Sequence, residues 1–116
     1  MRFTVTLKNN YEFRRLYSKG SSAASPCLVV YARKSKRDKN GLGRTVSTQV
    51  GKAVVRNRIR RRIREIYRLS EADIVRGTQL VIVARPRAAG ASYAELRTGF
   101  LRACAKLGIL EEGDGT

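Results

Sequence analysis

The stretch Gly51-Lys52-Ala53-Val54-Val55-Arg56-Asn57-Arg58-Ile59-Arg60-Arg61-Arg62-Ile63-Arg64-Glu65 carries an apolar pattern and a cationic pattern at the same helical spacing. Eight cationic side chains fall between Lys52 and Arg68, against one carboxylate, Glu65. On a helix of about 100° per residue with Val55 at zero, Ile59, Ile63 and Ile66 fall at about 40°, 80° and 20°, a single stripe. Arg60, Asn57, Arg64, Arg68 and Arg61 fall between about 140° and 240°, on the opposite side. The spacing predicts a helix from about Lys52 to Leu69, docked by its isoleucines and presenting guanidinium groups outward. A helix face that is merely solvated mixes its charges, because like charges three or four apart repel by about 0.2–0.5 kcal/mol per pair. Guanidinium is a permanently charged planar donor fork that matches phosphate oxygens. The face therefore points to a polyphosphate chain.

The whole composition agrees. The chain has 116 residues, 25 Lys+Arg against 9 Asp+Glu, and a net charge of +16. Charge on that scale draws nucleic acid or anionic lipid and makes binding steeply dependent on salt. A hydrophobic content of 42% indicates a folded protein and not a disordered polycation. The length suits one RNA-binding domain over residues 1–110, followed by an acidic tail at 111–116 read as disordered. No apolar run approaches a membrane span, and Met1-Arg2-Phe3-Thr4-Val5-Thr6 lacks the apolar centre of a signal peptide. Cys27 and Cys104 each sit in an apolar run and read as buried thiols in a reducing cytosol. The expected location is the cytoplasm.

Around the basic helix the expected order is α-β-β-α-β-α. Tyr11 to Lys19 reads as a short helix with an N-cap at Asn9-Asn10, ended by Gly20. Ser21 to Pro26 reads as a small-residue connector, and Cys27 to Ala32 as a strand. Lys34 to Gly43 reads as a charged loop, and Thr45 to Val50 as the second strand, with Leu42 to Arg44 as its possible start. The apolar run Gln79 to Ala84 has the character of a strand covered on both faces. Ser92-Tyr93-Ala94-Glu95 is a capping box, opening a helix with Leu96, Phe100, Cys104 and Leu107 on one face and Gly108 at its end. This is an α+β sandwich, a small mixed sheet with helices packed on it and the basic helix as crossover.

A polypeptide active site is not legible. The chain has no His, which removes the usual general base and most metal sites. The acids do not group into a metal-binding constellation, and Glu71 reads as solvated or capping like the others. Gly41-Leu42-Gly43 precedes a strand and so is not a phosphate loop. The aromatics Phe13, Tyr17 and Tyr31 have two readings. Helix-spaced rings are commonly core; exposed rings beside a basic surface stack on unpaired bases. The two tyrosines favour partial exposure, because a phenol hydroxyl needs water or a partner.

The segment from Gly51 to Glu65 resembles the signature helix of the bacterial ribonuclease P protein subunit. The likeness extends to Leu7-Lys8-Asn9-Asn10-x-x-Phe13, Gly20, Leu28-Val29-Val30-Tyr31, Val46-Ser47, Val50-Gly51 and Ala84-Arg85-Pro86, covering roughly residues 7–107. The resemblance implies a basic accessory subunit of an RNA enzyme that removes 5′ leaders from precursor tRNA. It implies catalysis by the RNA subunit with Mg²⁺ bound mainly by that RNA, a monomeric protein, and a left-handed βαβ crossover. It assigns contact with the RNA subunit to Lys52, Arg56, Asn57, Arg58, Arg60, Arg61, Arg64 and Arg68. It assigns the single-stranded leader to a cleft with Phe13, Tyr17, Tyr31 and Ser47. Two departures are visible. Thr48-Gln49 stand where similar proteins have paired lysines after Val-Ser. Gly41-Leu42-Gly43 replaces Arg-x-Gly, and Arg44 follows with a charge in a shifted place. The rival readings are a non-enzymatic RNA binder such as a ribosomal protein, and a polycation bound to a membrane surface.

Overall fold

The apolar run ending at Ala84 lies at the centre of a five-stranded mixed sheet, covered on both faces. The computed structural model describes residues 1–111. Its elements are β1 (Thr4–Thr6), α1 (Asn10–Lys19), β2 (Ser21–Ala24), β3 (Leu28–Lys34), β4 (Asn40–Thr45), α2 (Ala53–Ser70), β5 (Thr78–Ala84) and α3 (Tyr93–Leu107). Single 3₁₀ turns lie at Thr48–Val50, Glu71–Asp73 and Pro86–Gly90. The sheet order is β1-β4-β5-β3-β2. β1, β4 and β5 are parallel neighbours, while β3 pairs antiparallel with β5 and β2 with β3.

Strand alternation divides the side chains between two faces. Leu28, Val30, Leu42, Leu80 and Ile82 join Ile59, Ile63, Ile66 and Tyr67 of α2 and Leu96, Phe100 and Cys104 of α3 in the main core. Val81 faces the other way, against Leu7 and Leu16, with Phe13, Tyr31 and Val83 packed around them. The layers are therefore α1, the sheet, and the α2–α3 pair. The isoleucine stripe is buried as expected, with Val55 at its partly covered end. The capping box of α3 is formed: Glu95 N donates to Ser92 Oγ (3.1 Å) and Ser92 N to Glu95 Oε1 (3.3 Å). Both cysteines are free and buried.

Four expectations are corrected. β1 is an added strand, and the connector after Gly20 contains the edge strand β2. Both are too short to show a period. The second strand is Asn40–Thr45 and not Thr45–Val50; Val46 and Val50 are buried beside a 3₁₀ turn. The glycines that look like loop signals are required inside β4 by close approach. A Cβ on Gly43 would lie 2.7 Å from the Phe13 ring, and one on Gly41 would lie 2.7 Å from Leu7. Asn9 occupies the N-cap of α1 without a side-chain bond to the backbone, and Gly20 has φ −79°, outside the left-handed region. Of the tail assigned to 111–116, Glu111 N donates to Asp73 O at 2.6 Å, and residues 112–116 lie outside the described residues.

The fourth correction concerns Glu71, which is buried. Its carboxylate accepts from Arg2 N (2.9 Å), Phe3 N (3.3 Å) and the Thr4 hydroxyl, fastening β1 to the end of α2. The Thr4 hydroxyl also meets Tyr67 Oη at 2.7 Å. Buried Asn40 completes the clasp: its Nδ2 donates to Tyr67 Oη (3.2 Å), and its Oδ1 accepts from Gly77 N (2.7 Å) and Thr78 N (3.2 Å).

Burial opposes the charged form of Glu71, but the Thr4 hydroxyl and the Arg2 and Phe3 amides outweigh it and hold its pKa below the ordinary carboxylate value. The stabilisation is thus complete above the unfolded-state pKa and is lost as pH falls through the folded one. Glu71→Gln is expected to cost about 1–3 kcal/mol at neutral pH. Denaturant titrations across an acid pH series check this: wild type and variant should converge as the pH falls, and a pH-independent gap would contradict the assignment.

Candidate nucleic-acid interface

The arginines of α2 leave its buried stripe in three directions, set by their position around the helix. Arg58 and Arg62 lean toward the 3₁₀ turn at Pro86–Gly90. Arg58 Nη2 donates to Ala89 O (3.2 Å) and Arg62 Nη1 to Ala91 O (3.3 Å). Arg58 Nε is buried without a partner. Arg56 and Arg60 turn to the other flank. Arg56 Nε donates to Gly51 O (3.1 Å), and Arg60 Nη2 to Val46 O (3.2 Å) with Nη1 on Asn57 Oδ1 (3.0 Å). Arg61, Arg64 and Arg68 point outward and are exposed, as are Asn57 and, at the N-cap, Lys52. Arg68 pairs with Glu65, the only ion pair among the described residues.

The cationic face expected from the sequence is therefore narrower and better ordered. Lys52, Asn57, Arg61, Arg64 and Arg68 lie on it. Arg60 folds back toward β4, and Arg58 is held against the far turn.

Beside this face runs an open groove of about 580 Å³. It exists because β1 is short, pairing with β4 only at Asn40 to Leu42. Asn10, Phe13, Arg14 and Tyr17 of α1 form one wall; Arg44, Thr45 and Val46 form the floor, and Arg60 the opposite wall. Tyr17 is 40% exposed, and its hydroxyl lies 3.1 Å from Thr45 Oγ1. Phe13 and Tyr31 are half-buried. The rings form a row, with centroids 6.4 Å apart for Phe13–Tyr17 and 4.9 Å for Tyr17–Tyr31, the latter edge-on. Phe13 and Tyr17 line the groove; Tyr31 stands behind Tyr17 on the sheet. Ser47 is exposed one residue beyond the floor, as are Thr48 and Gln49.

Both readings of the aromatics thus apply in part: one edge of the row packs on the small core, and the other faces the groove. Arg14, on the same groove wall as Phe13, was not singled out from the sequence. Arg44 sits where the shifted charge was noted. Its Nη1 donates to the Arg60 carbonyl at 3.1 Å. Burial first, then nearby Arg64 and Arg60, hold its pKa below the ordinary guanidinium value.

Nothing in this surface supplies an activated nucleophile. Burial pushes the Cys104 thiol up to about 12. Among the described residues, no group of three or more His, Cys, Asp or Glu side chains gathers to hold a metal ion, and no helix is long and apolar enough to cross a membrane. What the surface can do is bind: guanidinium groups for phosphates, rings for bases.

Comparison with known proteins agrees with the fold and the basic helix. The family model described as Ribonuclease P matches residues 1–108. A ribonuclease P protein component from Natranaerobius thermophilus is 36% identical over 108 residues, covering 93% of this chain and 94% of the relative. The RNase P protein of Staphylococcus aureus superposes with a TM-score of 0.80 at 32% identity, covering 88% of this chain and 95% of that one. The RNase P protein from Thermotoga maritima gives 0.76 at 27% identity, covering 84% and 93%.

The two kinds of arginine on α2 are expected to separate in stability measurements. Arg58→Ala removes a carbonyl contact and stem packing, and should cost about 1–2 kcal/mol. Arg61→Ala should stay within about 0.5 kcal/mol of wild type. Thermal melts of the two variants in one buffer check the ordering.

Proposed function

The chain belongs to the Ribonuclease P protein family, and from that premise we propose that it is the protein subunit of the endoribonuclease that matures the 5′ end of tRNA. In this reading α2 docks the protein on the catalytic RNA through Lys52, Arg56, Asn57, Arg61, Arg64 and Arg68. The groove holds the single-stranded leader of precursor tRNA, with Phe13 and Tyr17 stacking on bases, Tyr31 backing Tyr17, and Ser47 at the exit. The observation that carries the proposal is the adjacency of an arginine face with a single ion pair, Arg68–Glu65, and a ring-lined groove whose far wall is Arg60. Thr48 and Gln49 would contribute no charge to either contact.

The physical contribution is electrostatic. Two RNA molecules repel, and a protein of charge +16 between them lowers that repulsion while contacting both. Leader binding should tolerate sequence change, because stacking and backbone contacts read little base identity. The Mg²⁺ that this activity requires is assigned to the RNA; the described side chains offer no cluster to hold it. The protein acts as a monomer in the cytoplasm. A ribosomal-type RNA binder would share the charge but would not distinguish precursor from mature tRNA, and a membrane-surface polycation would need the isoleucine stripe that the core already buries.

Reconstitution with a bacterial ribonuclease P RNA at low Mg²⁺ tests the proposal. Leader removal should depend on the protein, and the protein alone should cleave nothing. Failure to stimulate the RNA would overturn the reading. Tyr17→Ala should weaken holoenzyme binding of precursor tRNA by roughly 1–3 kcal/mol and leave mature tRNA almost unchanged. Equal losses for both, with a large fall in melting temperature, would return the ring row to the core.

A further expectation concerns the RNA subunit itself. Arg61→Ala with Arg64→Ala should reduce affinity for that RNA and flatten the log–log salt dependence by about two, one per phosphate contact. A salt titration with an unchanged slope would remove these residues from the interface.

A further inference from the structure

Where the groove meets α2, two guanidinium groups converge. Arg44 comes from the uncovered end of β4 and Arg60 from α2, and exposed Arg64 stands one turn further along the helix. Arg44 is half-buried and oriented by the Arg60 carbonyl through one nitrogen, Nη1. Arg60 is oriented by the Val46 carbonyl and Asn57. None of the three is in an ion pair with any carboxylate among the described residues. Gathering like charges at a partly desolvated place is unfavourable unless an anion joins them. The backbone carbonyls fix the forks in position but leave their net charge intact.

We propose that Arg44 and Arg60 form a subsite for one phosphodiester group of the single strand in the groove, with Arg44 as its anchor; this rests on the groove reading above. The Phe13–Tyr17 wall takes bases, so the sugar–phosphate chain faces the opposite side, where these forks stand. A phosphodiester shares one negative charge over two non-bridging oxygens on a tetrahedral centre, so forks arriving from different elements can each reach one. Arg44 follows Gly41-Leu42-Gly43 in β4, so its charge enters at the open edge of the sheet, directly beneath the strand. The subsite also joins the two RNA surfaces. Arg64 stands on the outer face of α2 one turn beyond Arg60, so the groove and the docking face adjoin there.

The test uses the reconstituted holoenzyme and two forms of tRNA, one with a leader and one without. Arg44→Gln should lower affinity for the leader-bearing form about tenfold, reduce its salt slope by about one, and spare the leaderless form. Arg44→Lys should recover part of the loss. A second arm needs no protein variant: single neutral methylphosphonate linkages are placed along the leader. One linkage should reproduce the loss with wild-type protein and add nothing to Arg44→Gln. Additive effects at every linkage would overturn the subsite. Equal loss for leader-bearing and leaderless tRNA would place the phosphate in the RNA subunit and overturn it too. If Tyr17→Ala weakens leader binding and Arg44→Gln does not, the groove stands and the subsite falls. If neither matters, the groove reading itself falls.

Discussion

The apolar seam of α2 is the constraint on which everything else rests. Its arginines include six like-charged pairs at three- or four-residue spacing, together worth roughly 2 kcal/mol of repulsion. Burying Ile59, Ile63 and Ile66 returns about 1.5–3 kcal/mol each, and so decides the outcome. The carbonyl contacts reduce the repulsion further by splaying the charges. Arg58 and Arg62 are drawn to Ala89 and Ala91 on one flank, and Arg56 and Arg60 to Gly51 and Val46 on the other. A helix that would repel itself in isolation becomes a rigid display of charge once docked.

The acids show the same logic from the opposite side. They do not neutralise the arginine face. Glu71 is engaged by the amides and hydroxyl of the β1 segment, Glu95 by the Ser92 amide, and Glu12 by the Asn9 side chain. Among the described residues, only Glu65 pairs with an arginine side chain. Uncharged donors hold these carboxylates, so the cationic surface remains available to an external anion. The clasp of Thr4, Tyr67, Asn40 and Glu71 also fixes where β1 pairs, and hence how much of the β4 edge stays open.

The long periodic elements were legible because one burial pattern dominates each: the isoleucine stripe of α2, the apolar run of β5, and the capping box of α3. β4 was displaced in the reading because Gly41 and Gly43 carry two messages at once. Their composition says loop, while their function is to let Leu7 and Phe13 pack on the strand. That contact exists only across the sheet, so no local pattern reveals it. Tyr67 was missed for a similar reason. It sits beside the stripe, and its burial depends on Thr4 and Asn40, distant in sequence. In the candidate site, helical spacing alone separated Arg61 and Arg64 from the stripe. It could not show that Arg60 bends back to Val46, because that requires the position of β4.

The groove follows from these tertiary facts. A longer β1 would cover Gly43 to Thr45 and close the floor. A side chain at Gly43 would push Phe13 away and break the ring row at its first member. The row itself is anchored at one edge by Leu16 and Val81 and left open at the other. Such half-anchored rings lose little freedom when a base stacks on them, since packing has already fixed their orientation. The arginines opposite are likewise oriented by carbonyls before any ligand arrives. Under the proposed function, preorganisation on both walls would let a surface without a reactive group serve a reaction, by fixing where a flexible strand runs.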